Sequence, residues 1–253
     1  MKAICIIPAR FNSSRFPGKL LAEVLGKTVL QRTLENALRC KALSQVYVAT
    51  DHELIAKHIE MLGGQVLWTS PACQNGTLRI IEALKKNPDL QQADIILNVQ
   101  GDHPCTSPES MEAVVQILKQ DPKAVMATSV IPLKDPKTFR SPHVVKCVFD
   151  LEQNALYFSR SPIPYSTQAV PKNAYHHIGL YAYRTKFLLS SLPPVLTPLQ
   201  EEEDLEQLHI LEKGFSIKVA LTNDPPLAID TPGDLKAFKA YLAKVRPAFA
   251  GSS

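Results

Sequence analysis

Three cations, Arg10, Arg15 and Lys19, follow directly on the short apolar run Ile4-Cys5-Ile6-Ile7. A buried parallel strand whose carboxyl end opens onto a polar loop has this form, and open α/β sheets place ligands at such loops. Ser13, Ser14 and Gly18 in the same loop can turn backbone N–H groups toward an anion, as nests do. The spacing predicts a polyphosphate-binding loop, set against the alternative of a solvated loop whose cations face water. Neither G-x-x-x-x-G-K-[ST] nor G-x-G-x-x-G occurs, so P-loop and dinucleotide chemistry find no support.

Two acids stand in similar places. Asp102 ends Val99-Gln100-Gly101-Asp102 after an almost purely apolar run, and Asp230 lies within Ala228-Ile229-Asp230-Thr231-Pro232. Two strand-end carboxylates can converge on Mg²⁺, which takes one or two protein carboxylates together with substrate phosphates. Each acid also has a structural reading. Asp102 also reads as a turn or capping residue, the commoner role of an Asp after a strand, and beside Asp230 the cap is Thr231, with Asp234 at the third helical position.

Cys73-Gln74-Asn75-Gly76-Thr77, followed by Arg79, either presents N–H groups and a hydroxyl to a ring or phosphate or is an ordinary capped turn. Tyr157-Phe158-Ser159-Arg160 and His177-Ile178-Gly179-Leu180-Tyr181 read as strands lining a pocket, where Arg160 either pairs with a carboxylate or reaches solvent. No H-x-x-x-H, H-E-x-x-H or G-x-S-x-G pattern occurs, so neither a zinc site nor acyl transfer is indicated.

The elements that must position these residues alternate in the first half of the chain. Strands are expected at 3–7, 45–50, 66–69 and 94–99, with helices near 28–40, 54–62, 78–86 and from Ser107-Pro108. In the first helix Thr28 and Gln31 form a capping box, and Leu30, Leu34 and Leu38 recur every four residues. This rhythm predicts an α/β fold with a mostly parallel, three-layer sheet. The middle reads differently: strands at 125–130, 144–149, 155–158 and 177–183, as an antiparallel addition to the sheet or a small lobe beside it. A helix over 199–213 opening on the acidic run Glu201 to Asp204, a strand at 216–221 and a final helix from Thr231-Pro232 complete the pattern.

At 253 residues with 45% apolar content, one large domain, or one domain with an insertion, is expected. The net charge of +4 is too weak to indicate nucleic acid, but residues 1–50 carry eight Lys/Arg against Glu23 and Glu35 alone. That field favours an anionic small substrate. Five scattered cysteines read as reduced thiols of a cytosolic protein, and no signal peptide or membrane span is expected. The tail at 247–253 is expected to be disordered.

Taken together these segments resemble the 3-deoxy-D-manno-octulosonate (KDO) cytidylyltransferases, the enzymes that make CMP-KDO for lipopolysaccharide. The likeness rests on Ile7-Pro8-Ala9-Arg10, Ser14-Arg15-Phe16-Pro17-Gly18-Lys19, Ala49-Thr50-Asp51, Asn98-Val99-Gln100-Gly101-Asp102, Ala155 to Arg160, His177 to Tyr181, Leu205-Glu206-Gln207-Leu208 and Asp230-Thr231-Pro232. Cys73 and Asn75, where most of the family has His and Ser, point to its chlamydial branch.

The resemblance implies a three-layer nucleotidyltransferase fold with residues 1–122 as the CTP-binding half and about 124–200 as a sugar-binding and dimerisation insertion. It implies nucleotide contacts from Ala9, Arg10, Ser14, Arg15, Lys19, Asn75, Gly76, Thr77, Arg79 and Gln100, and Mg²⁺ on Asp102 and Asp230. Arg10 and Lys19 would join these acids in catalysis. Gln100, Arg160, His177, Tyr181, Glu206 and Gln207 would take the sugar acid. CTP and KDO would be the substrates of a cytoplasmic homodimer. Departures occur at Leu78, His103, His176, Gln200 and His209, while the phosphate cations and metal acids are retained. The alternatives are therefore another 2-keto sugar acid, such as 8-amino KDO or a nonulosonic acid, or nucleotide binding without catalysis.

Overall fold

The computed structural model describes residues 1–13, 15–191 and 196–245. Ser14 and the tail at 247–253 lie outside these residues.

In chain order the elements are β1 (Ala3–Ala9), β2 (Glu23–Val24), β3 (Lys27–Thr28), α1 (Val29–Arg39), β4 (Gln45–Thr50), α2 (Glu53–Met61), β5 (Gln65–Trp68) and α3 (Gly76–Lys86). Then come β6 (Ile95–Val99), α4 (Pro108–Gln120), β7 (Met126–Pro132), α5 (Pro136–Arg140), β8 (Lys146–Phe149), β9 (Ala155–Ser159) and β10 (Tyr175–Arg184). The chain continues through α6 (Thr185–Ser191), α7 (Pro198–Glu203), α8 (Leu208–Glu212), β11 (Ile217–Leu221) and α9 (Pro232–Val245).

Every residue of β1 is buried, and its side chains alternate between two cores, as a central strand covered on both faces requires. Cys5 and Ile7 pack in the core that holds Leu30, Leu34, Val114 and Val115, whereas Ile4 and Ile6 face the core of Ile80 and Leu84. The main sheet runs β5-β4-β1-β6-β10-β7-β11. β4 and β6 flank β1 in parallel, so the direction of winding reverses there. Such a reversal opens a crevice at the carboxyl ends of the strands. β10 enters antiparallel between β6 and β7, and β11 closes the far edge parallel to β7. β8 and β9 extend the same sheet from β10, so the antiparallel strands are an addition to it; a separate two-stranded sheet is formed by β2 and β3.

Local signals placed the helix starts well. Thr28 Oγ1 accepts from Gln31 N at 3.0 Å, Asn75 Oδ1 from Leu78 N at 2.8 Å and Ser107 Oγ from Ser110 N at 3.1 Å. The Gln31 side chain, however, donates to Glu35 Oε1 at 2.9 Å, which leaves the capping box half made.

Two expectations need correction. Leu38 is 60% exposed while Leu34 is 2% exposed. Four-residue steps advance about 40° per turn beyond a full rotation, so the third leucine swings off the buried face and Ala37 takes its place. The single helix over 199–213 is two short ones, α7 and α8, interrupted where Asp204 adopts a left-handed φ of 50°.

Leu34→Ala is expected to cost about 2–5 kcal/mol of unfolding free energy, and Leu38→Ala no more than about 0.5 kcal/mol. Urea unfolding of the two variants reads this difference directly; equal losses would contradict the packing of α1.

Candidate active site

The carboxyl ends of β1 and β6 form a floor held by close backbone contacts. A Cβ added to Gly101 would stand 3.1 Å from the Pro8 carbonyl oxygen, so a larger residue would press β6 away from β1. From α1, Thr33 Oγ1 donates to the Gly101 carbonyl at 3.1 Å. Ile229 N then donates to the Asp102 carbonyl at 3.0 Å and draws the segment before α9 alongside. There the Asp234 carboxylate accepts from Asp230 N at 3.1 Å and Thr231 N at 2.8 Å, while Asp234 N returns a bond to Thr231 Oγ1 at 3.3 Å. The expected cap is present, and it leaves the Asp230 carboxylate unused by the helix.

That carboxylate meets Asp102 across a single ammonium. Gly18, at φ 68°, turns the loop into the short helix that begins at Lys19. Lys19 Nζ donates to Asp230 Oδ1 at 2.9 Å and to Asp102 Oδ2. Arg15 Nη2 approaches Asp230 Oδ1 to 3.2 Å from the solvent side. Burial opposes the charge on Lys19, but the two carboxylates outweigh it and raise its pKa above the ordinary lysine value. Burial likewise opposes the charge on Asp230, and its bond to Lys19, with Arg15 nearby, holds its pKa below the usual carboxylate value. The pair is an all-oxygen set gathered closely enough to share one cation, and this fits a hard divalent ion completed by phosphate oxygens.

Above the floor lies a cavity of about 630 Å³. Pro8 and Arg10 line it from the end of β1, Asn75, Gly76 and Arg79 from the start of α3, and Gln100 from the end of β6. Gly76 packs closely: a Cβ there would meet Pro8 Cγ at 3.0 Å. The N–H groups of Gly76 and Thr77, ahead of the capped Leu78 N, offer an anion the positive end of an eleven-residue helix. Arg79 is buried, with Nη1 donating to Thr69 Oγ1 at 2.5 Å and Nη2 lying 3.4 Å from Asp51 Oδ2. Across the cavity stand Tyr181 and Glu206, the latter with its carboxyl pKa raised by burial. A bulge in β10 between Ile178 and Tyr181 falls at this wall.

Several residues singled out in the sequence do not line this cavity. Ala9 is fully buried in β1, and Thr77 turns inward with its hydroxyl buried. Gln207 is buried in the core beside α8. Arg160 spends its guanidinium on main-chain carbonyls of Pro142, Glu203 and Asp204, at 3.1, 2.8 and 3.2 Å. His177 packs between Phe158 and Tyr181, its Nε2 2.9 Å from Thr128 Oγ1.

Sequence reasoning also missed lining residues, among them Gln200, Glu201, Asp204 and Leu205. Their acidic run was visible, but as a helix start, because an Asp in the left-handed region carries no strong sequence signal. Cys73 lines the cavity too; burial and the adjoining Glu82 carboxylate push its thiol up to about 11, so it is a protonated donor to Glu82 Oε2 at 2.8 Å.

Comparison with known proteins gives a consistent picture. Residues 4–218 match the family model described as "Cytidylyltransferase". The chain is 46% identical to the 3-deoxy-manno-octulosonate cytidylyltransferase of Protochlamydia amoebophila over 95% of its length and 94% of that protein. It is 45% identical to the protein of the same name from Chlamydia trachomatis serovar A, with the same coverage, so the expected likeness to chlamydial members is borne out. Among solved structures, CMP:2-keto-3-deoxy-manno-octonic acid synthetase complexed with CTP superposes with a TM-score of 0.88 at 36% identity, covering 96% of this chain and 99% of that one.

Beside the floor, His103 Nε2 lies 3.8 Å from Asp102 Oδ1, and with His176 and His177 it borders a second cavity of about 70 Å³. Burial pushes His177 down to about 3, reinforced by the imidazoles of His176 and His103, and His176 down to about 4, reinforced by His103 and the Lys146 ammonium. Both are neutral at pH 7. In the unfolded chain they titrate near 6.5, so below that pH the unfolded state binds protons that the folded state refuses. Stability is therefore expected to fall as pH drops from 6 to 5, by up to about 1.4 kcal/mol per pH unit for each imidazole. Denaturation at several pH values checks this, and His177→Asn should roughly halve the slope; an unchanged slope would assign the proton uptake to other groups.

Proposed function

The chain belongs to the cytidylyltransferase family, among the 3-deoxy-manno-octulosonate cytidylyltransferases, and on this footing we propose that it transfers the cytidylyl group of CTP to KDO with release of pyrophosphate. The product, CMP-KDO, is the activated sugar for lipopolysaccharide synthesis. The observation that carries this reading is the meeting of Asp102, Asp230 and Lys19 at the floor of one cavity whose rim carries Arg10 and the start of α3.

In the reaction the anomeric hydroxyl of the sugar acid attacks the α-phosphorus of CTP and gives up its proton to solvent, the new O–P bond forms, and the bond to the β-phosphate breaks to release pyrophosphate. Such a transfer asks mainly for in-line positioning and compensation of charge. Arg10, Arg15 and Lys19 supply positive charge for the triphosphate, and the first turn of α3 with Gln100 holds the nucleotide. Cytidylyltransferases generally depend on a divalent metal. Here Asp102 and Asp230 would hold Mg²⁺, which supplies charge compensation at the α-phosphate and lowers the pKa of a bound hydroxyl. Tyr181 and Glu206 face the sugar acid from the opposite wall.

On the same footing the enzyme acts as a cytoplasmic homodimer, with residues 1–122 as the nucleotide half and 124–200 supplying sugar and dimer contacts. Among the described residues no helix is long and apolar enough to cross a membrane.

Pyrophosphate release is expected only when CTP, KDO and Mg²⁺ are all present, and Asp102→Asn should lower kcat by about 10²- to 10³-fold in a protein that still unfolds cooperatively. Release with a different 2-keto sugar acid but not with KDO would shift the acceptor. CTP binding with no release for any acceptor would overturn the catalytic reading, and wild-type turnover in Asp102→Asn would remove that carboxylate from the site.

A further inference from the structure

Part of the wall of the cavity that Lys19 lines is a short, largely exposed piece of chain. α7 has six residues, none of them buried, yet Gln200, Glu201, Asp204, Leu205 and Glu206 along and after it line the cavity. Apolar packing reaches this wall only at Leu205, which is buried in the core after α7, so polar contacts must fix α7 itself. At its start the Glu212 carboxylate accepts from Leu199 N at 2.9 Å, from Gln200 N at 3.1 Å and from the Thr197 hydroxyl. At its end the Glu203 carboxylate accepts from Ser159 Oγ at 2.5 Å and from Arg160 N at 2.8 Å.

Arg160 answers in the other direction, its Nε donating to the Glu203 carbonyl at 2.8 Å and its Nη2 to the Asp204 carbonyl at 3.2 Å. The end of β9 is itself anchored from behind. Lys146, fully buried, donates to the carbonyls of Ser141 at 3.0 Å, Val144 at 2.6 Å and Arg160. The grip on α7 thus rests on a fixed strand, not on a second loose loop.

We infer that Glu203 is a positioning residue for the acceptor side of the site: through Ser159 and Arg160 it fixes the 200–206 wall, and with it Glu206, opposite the phosphate-binding floor. Arg160 belongs to the same clamp, each nitrogen of its guanidinium donating to a main-chain carbonyl and Nη2 also lying 3.6 Å from the Asp204 carboxylate. This assignment rests on the proposed function only in naming the sugar acid as what the wall meets.

The test is steady-state kinetics of Glu203→Gln, Arg160→Met and the double variant, beside amide exchange of the full-length protein without substrate. Each single change is expected to raise KM for the sugar acid about tenfold, while KM for CTP and kcat stay within about twofold. The double variant should be no worse than either single one, since both break the same clamp. Glu203→Asp, which keeps the charge, should recover part of the loss.

Exchange at residues 198–206 should speed up in Glu203→Gln while the rest of the fold keeps its protection. Wild-type KM for the sugar acid in Glu203→Gln, or effects that multiply in the double variant, would overturn the inference, the latter by making Arg160 a direct ligand. Should KDO prove not to be the acceptor, unchanged exchange at 198–206 would still refute the clamp, and faster exchange would uphold it independently.

Discussion

One ammonium between two carboxylates sets the terms for the rest of this molecule. Lys19, Asp102 and Asp230 come from segments 83 and 211 positions apart along the chain. Two partly buried anions this close would repel strongly without a cation between them, since the effective dielectric near a protein surface is well below that of water. Each of the three is delivered by its own device: a left-handed Gly18, a close approach of β6 to β1, and a capping box at the head of α9. The sheet supplies the crevice, but this charge arrangement decides which face of it is chemically active.

The cavity built on that floor has two kinds of wall. On the nucleotide side, α3 and the ends of β1 and β6 are held by apolar cores on both faces of the sheet, and their polar groups are caps and close backbone contacts. On the other side, the wall is thin and its order comes from carboxylates reaching main-chain N–H groups. Hydrogen bonds of this type are worth little individually but are costly to leave unmade in partly buried places. The site therefore joins a rigid half to one whose geometry depends on a few polar contacts.

What the sequence made legible was local. The apolar runs of β1 and β6, the caps at Thr28 and Ser107, and the Thr231–Asp234 box all follow from neighbours a few positions apart. The meeting of Asp102 with Asp230 was legible only through the family resemblance, because it depends on β10 and β11 pairing across the sheet. Leu38 misled because a four-residue repeat looks regular in sequence but drifts around a helix. Arg160 and His177 had the right types for a pocket, yet their partners are backbone carbonyls and a threonine hydroxyl that only the fold brings near. The break at Asp204 escaped because its left-handed residue is not a glycine.

The antiparallel strand in the middle of the sheet has a consequence for the order in which the molecule can be made. β1, β4, β5 and β6 pair with one another and are all complete by residue 99, so the first half of the chain can organise while the rest is still emerging from the ribosome. β7 cannot join them directly, because β10 must lie between it and β6, and β11 can only be added outside β7. Pairings of such long sequence separation form slowly, after the loop-closure entropy has been overcome. Asp230 follows β11, so the second carboxylate is made long after Asp102 and only once β7, β10 and β11 have been synthesised. Until then the chain exposes the edge of β6 and carries the cationic loop without the acid that completes the charge cluster, which makes the interval between β6 and Asp230 the one in which this protein is most open to misassembly.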